Sequence, residues 1–507
     1  MSISSEQLLS AAYVCVFNSF DYRGVQMLHQ YKSNGYNIVM DVNSGSIHVV
    51  DDIVYDLIGL LDHIKDEKPV RTAVSEDEIR TLPYDDIRDT LTGALRIYPE
   101  AQIHEAYDEV CELIKDDILF SDDVYENFVI DFKKRKTAVK ALCLHISHDC
   151  NLSCRYCFAQ EGEYHQNKRE LMSYEVGKQA LDFLVRNSGN RHNLEVDFFG
   201  GEPLMNFDVV KKLVEYGRSI EEKYDKKFRF TLTTNGVLLN DEILEYANKE
   251  MSNLVLSIDG RKEIHDLMRP FRGGQGSYDV IVDKFKKAAD SRQQMNYYVR
   301  GTFTRNNLDF SEDVKHLAGL GFEQISIEPV VAEPSEDYAI REEDIPVILE
   351  QYDILAKYLL ERKKKGKGVN FFHFMIDLSG GPCVAKRLSG CGSGTEYMAV
   401  TPGGDLYPCH QFVGKSEFKL GDVYTGVLNT EVQNEFKLCN VYAREKCRDC
   451  FARFYCSGGC AANSYNFSGN INGTYDIGCE LEKKRVEAAI MMKAAEADLN
   501  AGYDNNP

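Results

Sequence analysis

Cysteine is the residue that most constrains how this chain can fold. Eleven of its fifteen cysteines lie in two groups, at 150–157 and 383–479. Thiols spaced this closely come together in the folded chain, and without a secretory signal they suit metal ligation better than disulfides. The apolar stretch at 8–17 has no basic residue before it and is predicted to be a helix, not a signal sequence. The scattered thiols are expected to be buried as apolar residues: Cys15, Cys111, Cys143 and Cys439.

The composition and charge exclude two classes of partner. Apolar residues make up 43% of the chain and charged residues 27%, and no apolar run is long enough to cross a bilayer. The net charge of -21 repels the phosphates of nucleic acids. The basic runs at 133–136 and 362–368 are short, so solvated helix ends or linkers explain them. We therefore expect neither a nucleic acid nor a membrane partner.

Strands and helices alternate through the middle of the chain. Six short runs rich in β-branched and aromatic residues are separated by helical patterns such as 173–187 and 208–223. Alternation of this kind requires crossover connections, which produce a parallel sheet. The prediction is an α/β fold with a partial (β/α)6 TIM-type barrel over 138–340, whose functional residues lie at the carboxyl ends of the strands. The predicted strands are 142–147, 195–199, 229–234, 254–258, 298–304 and 324–329.

Further domains flank the predicted barrel. Before it, 28–115 is predicted to contain two strands around an Asn-Ser-Gly-Ser turn and helices at 53–64, 75–82 and 99–114. After it, 380–480 is rich in Gly and Cys, as expected of a small domain held together by metal. The remaining segments are an N-terminal extension at 1–27, a linker at 116–137, a bridging helix region at 341–379, and a C-terminal helix and tail at 481–507.

The first cysteine group is a short loop after the first predicted strand. Cys150, Cys154 and Cys157 form a CxxxCxxC spacing. A four-iron cluster takes four ligands, so three thiolates leave one iron open to chelate a small molecule. A zinc-binding loop or a set of buried thiols is the alternative. GGEP at 200–203 ends the second predicted strand, and its glycines let the backbone approach a ligand closely.

These motifs resemble the radical S-adenosylmethionine (SAM) family. The resemblance rests on CNLSCRYC at 150–157, GGEP at 200–203, and SIDG at 257–260 followed by HDLMRP. It implies that the three thiols hold a 4Fe–4S cluster whose open iron binds SAM, so these thiols are the catalytic ligands. It also implies that Ser257 and Arg269 contact the ribose or carboxylate of SAM. The residues expected to bind SAM or to line its site are Tyr156, Gly200, Gly201, Glu202, Ser257, Arg269, Arg300 and Glu328.

The second cysteine group resembles the SPASM domain, which holds two auxiliary 4Fe–4S clusters in some radical SAM enzymes. Its eight thiols are enough for two four-ligand sites. A zinc ribbon at 447–450 is the alternative. Cys383 is the candidate fourth ligand of the first auxiliary cluster; without it, one iron would be open to a substrate thiol. The pattern implies that the other ligands of that cluster are Cys391, Cys409 and Cys460. It implies that the ligands of the second are Cys447, Cys450, Cys456 and Cys479.

A narrower resemblance covers 28–480. The segments HQYKSNGYNIVMDVNSGSIHVVDDIVYDLI and PCVAKRLSGCGSGTEYMAVTPGGDLYPCHQF look like those of maturases of the cysteine-rich SCIFF peptides. The implied activity is hydrogen abstraction by a 5′-deoxyadenosyl radical, followed by bonding of a peptide cysteine sulfur to carbon as a thioether. The implied partners are a cysteine-rich precursor peptide and a flavodoxin or ferredoxin reductant, in an anaerobic cytoplasm. The peptide's leader would add as an edge strand to a winged-helix-like domain at 28–115.

Two alternatives stand beside this hypothesis. An anaerobic sulfatase maturase has the same layout and makes formylglycine. It would carry an aspartate after the cysteine of the GxxxxC segment, whereas His410 follows Cys409. A non-enzymatic iron–sulfur electron carrier is the second alternative, but it has no use for GGEP and SIDG.

Overall fold

The computed structural model describes residues 26–75, 78–129, 132, 134–164, 168–378 and 384–504. The helix predicted at 8–17, Cys15 and Cys383 lie outside these residues. The described chain forms an N-terminal domain, a central sheet with helices on its outer face, and a cysteine-rich domain with a long final helix.

The N-terminal domain has its own apolar core, which includes Leu57, Ile58, Leu91 and Val110. The hairpin predicted around the Asn-Ser-Gly-Ser turn is confirmed, because β2 and β3 pair antiparallel. A third strand, β1, pairs with β2 on the other side. The elements of this part of the chain are β1 (Leu28–Ser33), β2 (Tyr36–Asp41), β3 (Ile47–Val50), α1 (Asp52–Ile64), β4 (Arg71–Ser75), β5 (Glu78–Thr81), α2 (Tyr84–Ala94), α3 (Glu100–Lys115) and α4 (Glu126–Val129).

One predicted helix of this domain is wrong. Helices at 53–64 and 99–114 are confirmed as α1 and α3, but the segment predicted as a helix at 75–82 contributes to the antiparallel hairpin β4–β5. Its side chains alternate between exposed Glu78 and Arg80 and half-buried Ile79 and Thr81, which is the period of a strand. Packing of Ile79 against the domain core thus outweighs the local preference of acidic residues for a helix.

The predicted barrel strands are confirmed. Six strands pair in parallel and in chain order, each with its sequence neighbour. They are β6 (Ala141–Ser147), β7 (Asn193–Gly200), β8 (Lys227–Thr234), β9 (Met251–Ser257), β10 (Tyr297–Phe303) and β11 (Gln324–Pro329). The helices that connect or flank them are α5 (Tyr174–Asn187), α6 (Phe207–Tyr224), α7 (Asp241–Glu250), α8 (Lys262–Met268), α9 (Tyr278–Ser291) and α10 (Phe310–Gly319).

Alternating burial explains why these segments are strands. Leu194, Val196 and Phe198 on β7 are fully buried, and the residues between them are more exposed. On β8, Phe230 stacks on Phe198 with 5.5 Å between ring centroids. The apolar side chains of one sheet face therefore pack under the helices. Ser173 accepts a hydrogen bond from the backbone N–H of Val176, which caps α5 where the helical pattern begins.

The central sheet continues beyond the barrel at both edges. In the part of the chain that the structure describes, its eleven strands follow the order β12-β11-β10-β9-β8-β7-β6-β13-β14-β15-β16. Strand β13 pairs in parallel with β6, so the cysteine-rich domain shares the barrel's sheet. This half of the chain contains α11 (Ile345–Lys364), β12 (Asn370–Phe371), α12 (Val384–Ser389), β13 (Tyr397–Val400), β14 (Asp405–Tyr407), β15 (Gly421–Asp422), β16 (Gly426–Val427), α13 (Thr430–Leu438), α14 (Glu445–Arg448), α15 (Arg453–Cys456), α16 (Ala461–Ser468) and α17 (Asp476–Asp504).

The N-terminal domain is attached to the cysteine-rich domain through a buried polar network. Arg453 is 3% exposed and donates to Asn43 Oδ1 at 2.7 Å and to Asp123 Oδ2 at 2.9 Å. The hydroxyl of Tyr442 donates to the same carboxylate at 2.7 Å. The ring of His29 stacks on Phe451, with 3.4 Å between centroids. These contacts all reach the segment that carries the predicted ligands of the second auxiliary cluster.

The long final helix begins earlier than expected. The predicted C-terminal helix corresponds to α17, which packs along α11, the helix of the bridging region. Arg485 on α17 donates from Nε to the hydroxyl of Tyr352 on α11 at 2.9 Å. Among the described residues, no helix has the length and apolarity that crossing a membrane requires.

Candidate active site

The first cysteine group lies at the carboxyl end of the barrel. Cys150, Cys154 and Cys157 follow β6 and line a pocket of about 300 Å³. Burial raises the pKa of Cys150 to about 12 and that of Cys154 further still, so these thiols need a cation to become thiolates. Of the residues predicted to bind SAM, those that line the same pocket are Tyr156, Gly200, Gly201, Ser257, Arg269, Arg300 and Glu328.

The glycines of GGEP bring two loops into contact. Gly200 has φ 128°, and a Cβ added there would lie 2.3 Å from the carbonyl oxygen of Ser147. A Cβ on Gly201 would lie 2.2 Å from the carbonyl oxygen of Asp149, just before the cysteine loop. Only glycine allows this approach, so the end of β7 and the cysteine loop form one wall of the pocket.

Glu202 lies behind that wall and does not line the pocket. It is fully buried, and it accepts hydrogen bonds from Leu204 N at 3.0 Å, Asn235 N at 2.8 Å and Thr234 Oγ1 at 2.8 Å. Burial raises its pKa to about 7. The carboxyl group connects the ends of β7 and β8, and its predicted contact with SAM stays a prediction.

A buried carboxylate that sequence analysis missed organises the opposite wall. Asp259 accepts hydrogen bonds from the hydroxyl of Tyr156 at 2.6 and 2.8 Å and from Arg269 Nε at 2.9 Å. The N–H of Thr302 also donates to it, at 3.0 Å. The guanidinium of Arg269 is therefore held at the pocket wall with its Nε already used. The Asp follows β9 within SIDG, and that position was the available signal.

Replacing Asp259 by asparagine should destabilise the protein strongly, because it leaves the buried Arg269 without its counter-ion. Removing one partner of a buried ion pair costs about 3–5 kcal/mol. The expected result is a marked drop in the midpoint of urea denaturation. Asp309→Asn is the control, since that half-exposed carboxylate pairs with Arg261 at 2.7 Å and should contribute about 1 kcal/mol or less. Equal midpoints for the two variants would contradict the role of Asp259.

His265 holds the same wall in a pH-dependent way. Ser277 Oγ donates to the carbonyl of Arg269 at 2.6 Å, so it accepts from His265 Nε2 at 2.9 Å. The N–H of Asp259 then donates to the free Nδ1 at 3.3 Å. Protonating Nδ1 would make it a donor that faces another donor, the N–H of Asp259. Burial also disfavours the charged ring and lowers the pKa of His265 from 6.5 to about 4.

Acidification should therefore destabilise the native protein more than a His265→Gln variant. The unfolded chain takes up the proton near pH 6.5 and the folded chain only near pH 4, so stability is present above pH 6.5 and is lost as pH falls through this window. Between about pH 7.5 and about pH 5.5, the unfolding free energy of the native protein should fall by about 1.4 kcal/mol more than that of the variant. Urea denaturation at both pH values measures it. His104→Gln, on an exposed face, should not change the pH dependence.

The pocket mouth joins the barrel to the cysteine-rich domain. Arg300, in the middle of β10, pairs at 2.7 Å with Glu328, near the end of β11. His410 forms part of the facing wall, and its Nδ1 lies 3.2 Å from the hydroxyl of Tyr397. Burial lowers the pKa of His410 to about 4, so this ring is neutral. Glu328 and Pro329 also line a second cavity, so the two cavities are adjacent here.

The second cavity, of about 490 Å³, contains the thiols predicted for the second auxiliary cluster. Burial raises the pKa of Cys456, and the neighbouring charges of Cys447, Cys479 and Cys450 raise it further. Burial likewise raises the pKa of Cys479 to about 11. Cys447, Cys450, Cys456 and Cys479 are thus neighbours around one space, consistent with a shared metal group, and Cys460, assigned to the first auxiliary cluster, lines the same space.

The thiols predicted for the first auxiliary cluster are also neighbours. Burial raises the pKa of Cys409, and the nearby Cys460 and Cys391 add to the effect. Cys383 lies outside the described residues, so its ligation stays a prediction. Three of the scattered thiols are buried, as expected: Cys111, Cys143 and Cys439.

The donor sets are thiols arranged around cavities, and thiolates are the ligands of iron–sulfur clusters. Among the described residues, no three His, Cys, Asp or Glu side chains are close enough to hold one metal ion. The thiols surround cavities, and three buried donors there have no hydrogen-bond partner in the described chain: Asn151 Nδ2, next to Cys150, and Arg453 Nε and Arg485 Nη2, which line the second cavity. Cluster sulfides accept hydrogen bonds of this kind. Asn235 Nδ2 already lies 3.7 Å from the sulfur of Cys150.

Comparison with known families agrees with this geometry. Residues 144–315 match the radical SAM superfamily, and residues 391–451 match the SPASM iron–sulfur cluster-binding domain. The chain thus contains a radical SAM domain and a SPASM domain. Its cofactors are SAM, a 4Fe–4S cluster and auxiliary clusters.

Individual relatives cover much of the chain at low identity. The cysteine-type anaerobic sulfatase-maturating enzyme of Clostridium novyi is 26% identical over 369 residues, which is 68% of this chain and 93% of that protein. An uncharacterized protein of Methanocaldococcus jannaschii is 29% identical over 234 residues, 45% of this chain and 77% of that one. The solved structure of native anSMEcpe with bound AdoMet has a TM-score of 0.59 at 21% identity, covering 71% of this chain and 99% of that one. This likeness establishes the fold.

Proposed function

We propose that this enzyme forms thioether cross-links in a ribosomally synthesised, cysteine-rich peptide. The observation that carries the proposal is that the two cavities are adjacent and share Glu328 and Pro329 in their walls. Forming a C–S bond from C–H and S–H removes two hydrogens, and this oxidation needs an electron acceptor beside the site of hydrogen abstraction. Here the predicted SAM pocket shares part of its wall with the cavity that contains the thiols of an auxiliary site.

The chain's own residues would position the reactants. Bound SAM supplies a 5′-deoxyadenosyl radical, which takes a hydrogen from carbon. Arg269, held by Asp259, offers its remaining N–H groups to the carboxylate of SAM. The apolar side chains of Phe199 and Val330 line the pocket and exclude water. The protein thus contributes orientation of the reactants and exclusion of water, and the cofactor supplies the chemistry of the difficult step.

Recognition of a leader peptide is assigned to the N-terminal domain. The C. novyi relative matches 93% of its own length but only 68% of this chain, so this chain has a substantial part outside the match. Within the described residues β3 pairs only with β2, so its other edge has backbone groups available to an extended peptide. The docking of this domain on the cysteine-rich domain would deliver the core of the peptide toward the auxiliary thiols.

Formylglycine formation is the second candidate, and the similarity to sulfatase-maturating enzymes favours it. The residue after Cys409 argues against formylglycine formation. The resemblance to sulfatase maturases implies an aspartate at this position, whereas this chain has His410, whose ring is neutral. We further propose a flavodoxin or ferredoxin as the natural reductant and an anaerobic cytoplasm as the location.

Anaerobic incubation with SAM, dithionite and a small cysteine-rich peptide encoded beside the gene tests the proposal. Mass spectrometry should show the loss of two hydrogens per cross-link with every sulfur retained. A sulfatase-derived cysteine peptide serves as the matched probe. Formylglycine formation would instead remove sulfur from that peptide, and this result with no change in the first peptide would overturn the thioether proposal.

A further inference from the structure

One buried cation of the second cavity has no role in the proposals above. Arg485 lies on α17 and lines the cavity that also contains Cys447, Cys450, Cys456 and Cys479. Its side chain is 12% exposed. A buried guanidinium is costly unless its charge and all its N–H groups are compensated, so each of its partners matters.

The protein compensates only part of this guanidinium. Nε donates to the hydroxyl of Tyr352 at 2.9 Å, and Nη1 donates to Glu482 at 3.1 Å. Nη2 is buried and has no hydrogen-bond partner in the described chain. An orphaned buried donor calls for an acceptor that the protein itself does not supply. Arg485 lines the same cavity as the thiols, where a cluster sulfide or a cysteine sulfur on iron would be such an acceptor.

The position of Arg485 also relates it to the pocket mouth. Glu328, which lines both cavities, pairs with Arg300 on one side and interacts electrostatically with Arg485 on the other. Arg485 is held in place by Tyr352 on a different helix, so its charge is fixed relative to the barrel. A fixed charge in a site screened from water acts more strongly than one on the surface.

We propose that Arg485 is a positioning residue that raises the reduction potential of the auxiliary cluster held by Cys447, Cys450, Cys456 and Cys479. The reduced cluster carries one more negative charge than the oxidised one, so a fixed cation and an N–H to sulfur favour reduction. The source of the electron rests on the proposed function: it is the oxidative closure of the thioether. There the hydrogen goes to 5′-deoxyadenosine, the thiol proton to solvent, and closure of the C–S bond by a carbon radical and a thiolate releases one electron to the oxidised cluster.

Potentiometric titration followed by electron paramagnetic resonance tests the role of Arg485 without any peptide. The full chain carries Cys150→Ala, Cys154→Ala and Cys157→Ala, which leaves the two auxiliary clusters. In this background Arg485→Gln should lower one midpoint, so that the reduced-to-oxidised ratio at a given potential falls at least tenfold, or about 59 mV for one electron. The shifted midpoint should be the one that Cys456→Ala removes.

Two further variants separate charge from packing. Lys483→Gln removes a charge from the same helix and the same cavity, but that side chain is 35% exposed, so the ratio should change less than about twofold. Arg485→Lys keeps the charge and should keep most of the potential. If the Arg485→Gln variant loses iron, the Arg485→Lys variant becomes the deciding test. Loss of the cluster from Arg485→Lys as well would overturn the proposal. An unshifted midpoint in Arg485→Gln, or an equal shift in Lys483→Gln, also overturns it.

Discussion

Replacing Cys154 by alanine is expected to abolish the release of 5′-deoxyadenosine from SAM. With only two thiols the loop at the end of β6 cannot hold the cluster whose open iron chelates SAM. Iron per chain should fall by about a third, because two auxiliary clusters stay. Chromatography of the anaerobic, dithionite-reduced reaction measures the nucleoside, and a colorimetric assay measures the iron.

Cys111→Ala is the matched control for this loss. Cys111 is a buried thiol of α3 in the core of the N-terminal domain, remote from the pocket. Its replacement should cost about 1 kcal/mol of stability and leave iron and SAM cleavage unchanged. Undiminished 5′-deoxyadenosine release by Cys154→Ala would contradict the assignment of the first cysteine group as the ligands of the SAM-binding cluster.

Replacing Cys447 by alanine should separate SAM cleavage from product formation. The first cluster is untouched, so 5′-deoxyadenosine should still appear, whereas the modified peptide should be lost because the second auxiliary site is incomplete. Both quantities can be measured in one reaction, by chromatography and mass spectrometry.

Cys439→Ala controls for the loss of any thiol from this domain. Cys439 is buried and accepts a hydrogen bond from Arg444 at 3.2 Å, and it belongs to neither predicted ligand set. It should keep both activities. Full product formation by Cys447→Ala, or the same loss in both variants, would count against the assigned ligands.

The barrel could be predicted from sequence because its strands repeat a strong local signal. Each of the six strands has a run of β-branched or aromatic residues, and burial on one or both faces selects those residues. Strands β12 to β16 escaped prediction because they are two to four residues long and have no period of their own. Pairing with existing sheet edges makes them strands, and pairing is not a local property.

The candidate site divides in the same way. The fixed spacings of the thiols predicted the ligand loops. The structure brings nearly all the residues predicted to contact SAM to one pocket. Asp259 and Arg485 were missed because a single carboxylate or guanidinium acquires its role from burial and from partners distant in sequence. His410 was noticed only as a departure from a motif, and its neutral state follows from burial that no local pattern records.

The pairing of β13 with β6 has a consequence for how the halves of this enzyme relate. Tyr397 to Val400 lie in register with Ala141 to Leu144, so peptide hydrogen bonds fasten the strand that leads into the first cysteine loop to the strand that leads toward Cys409. The spacing between the first cysteine loop and the segment that leads to Cys409 is thereby set by a ladder of backbone hydrogen bonds. Neither half is an independent module, because separating them would expose the edge of a strand that now lies inside the sheet. An exposed strand edge can pair with other chains.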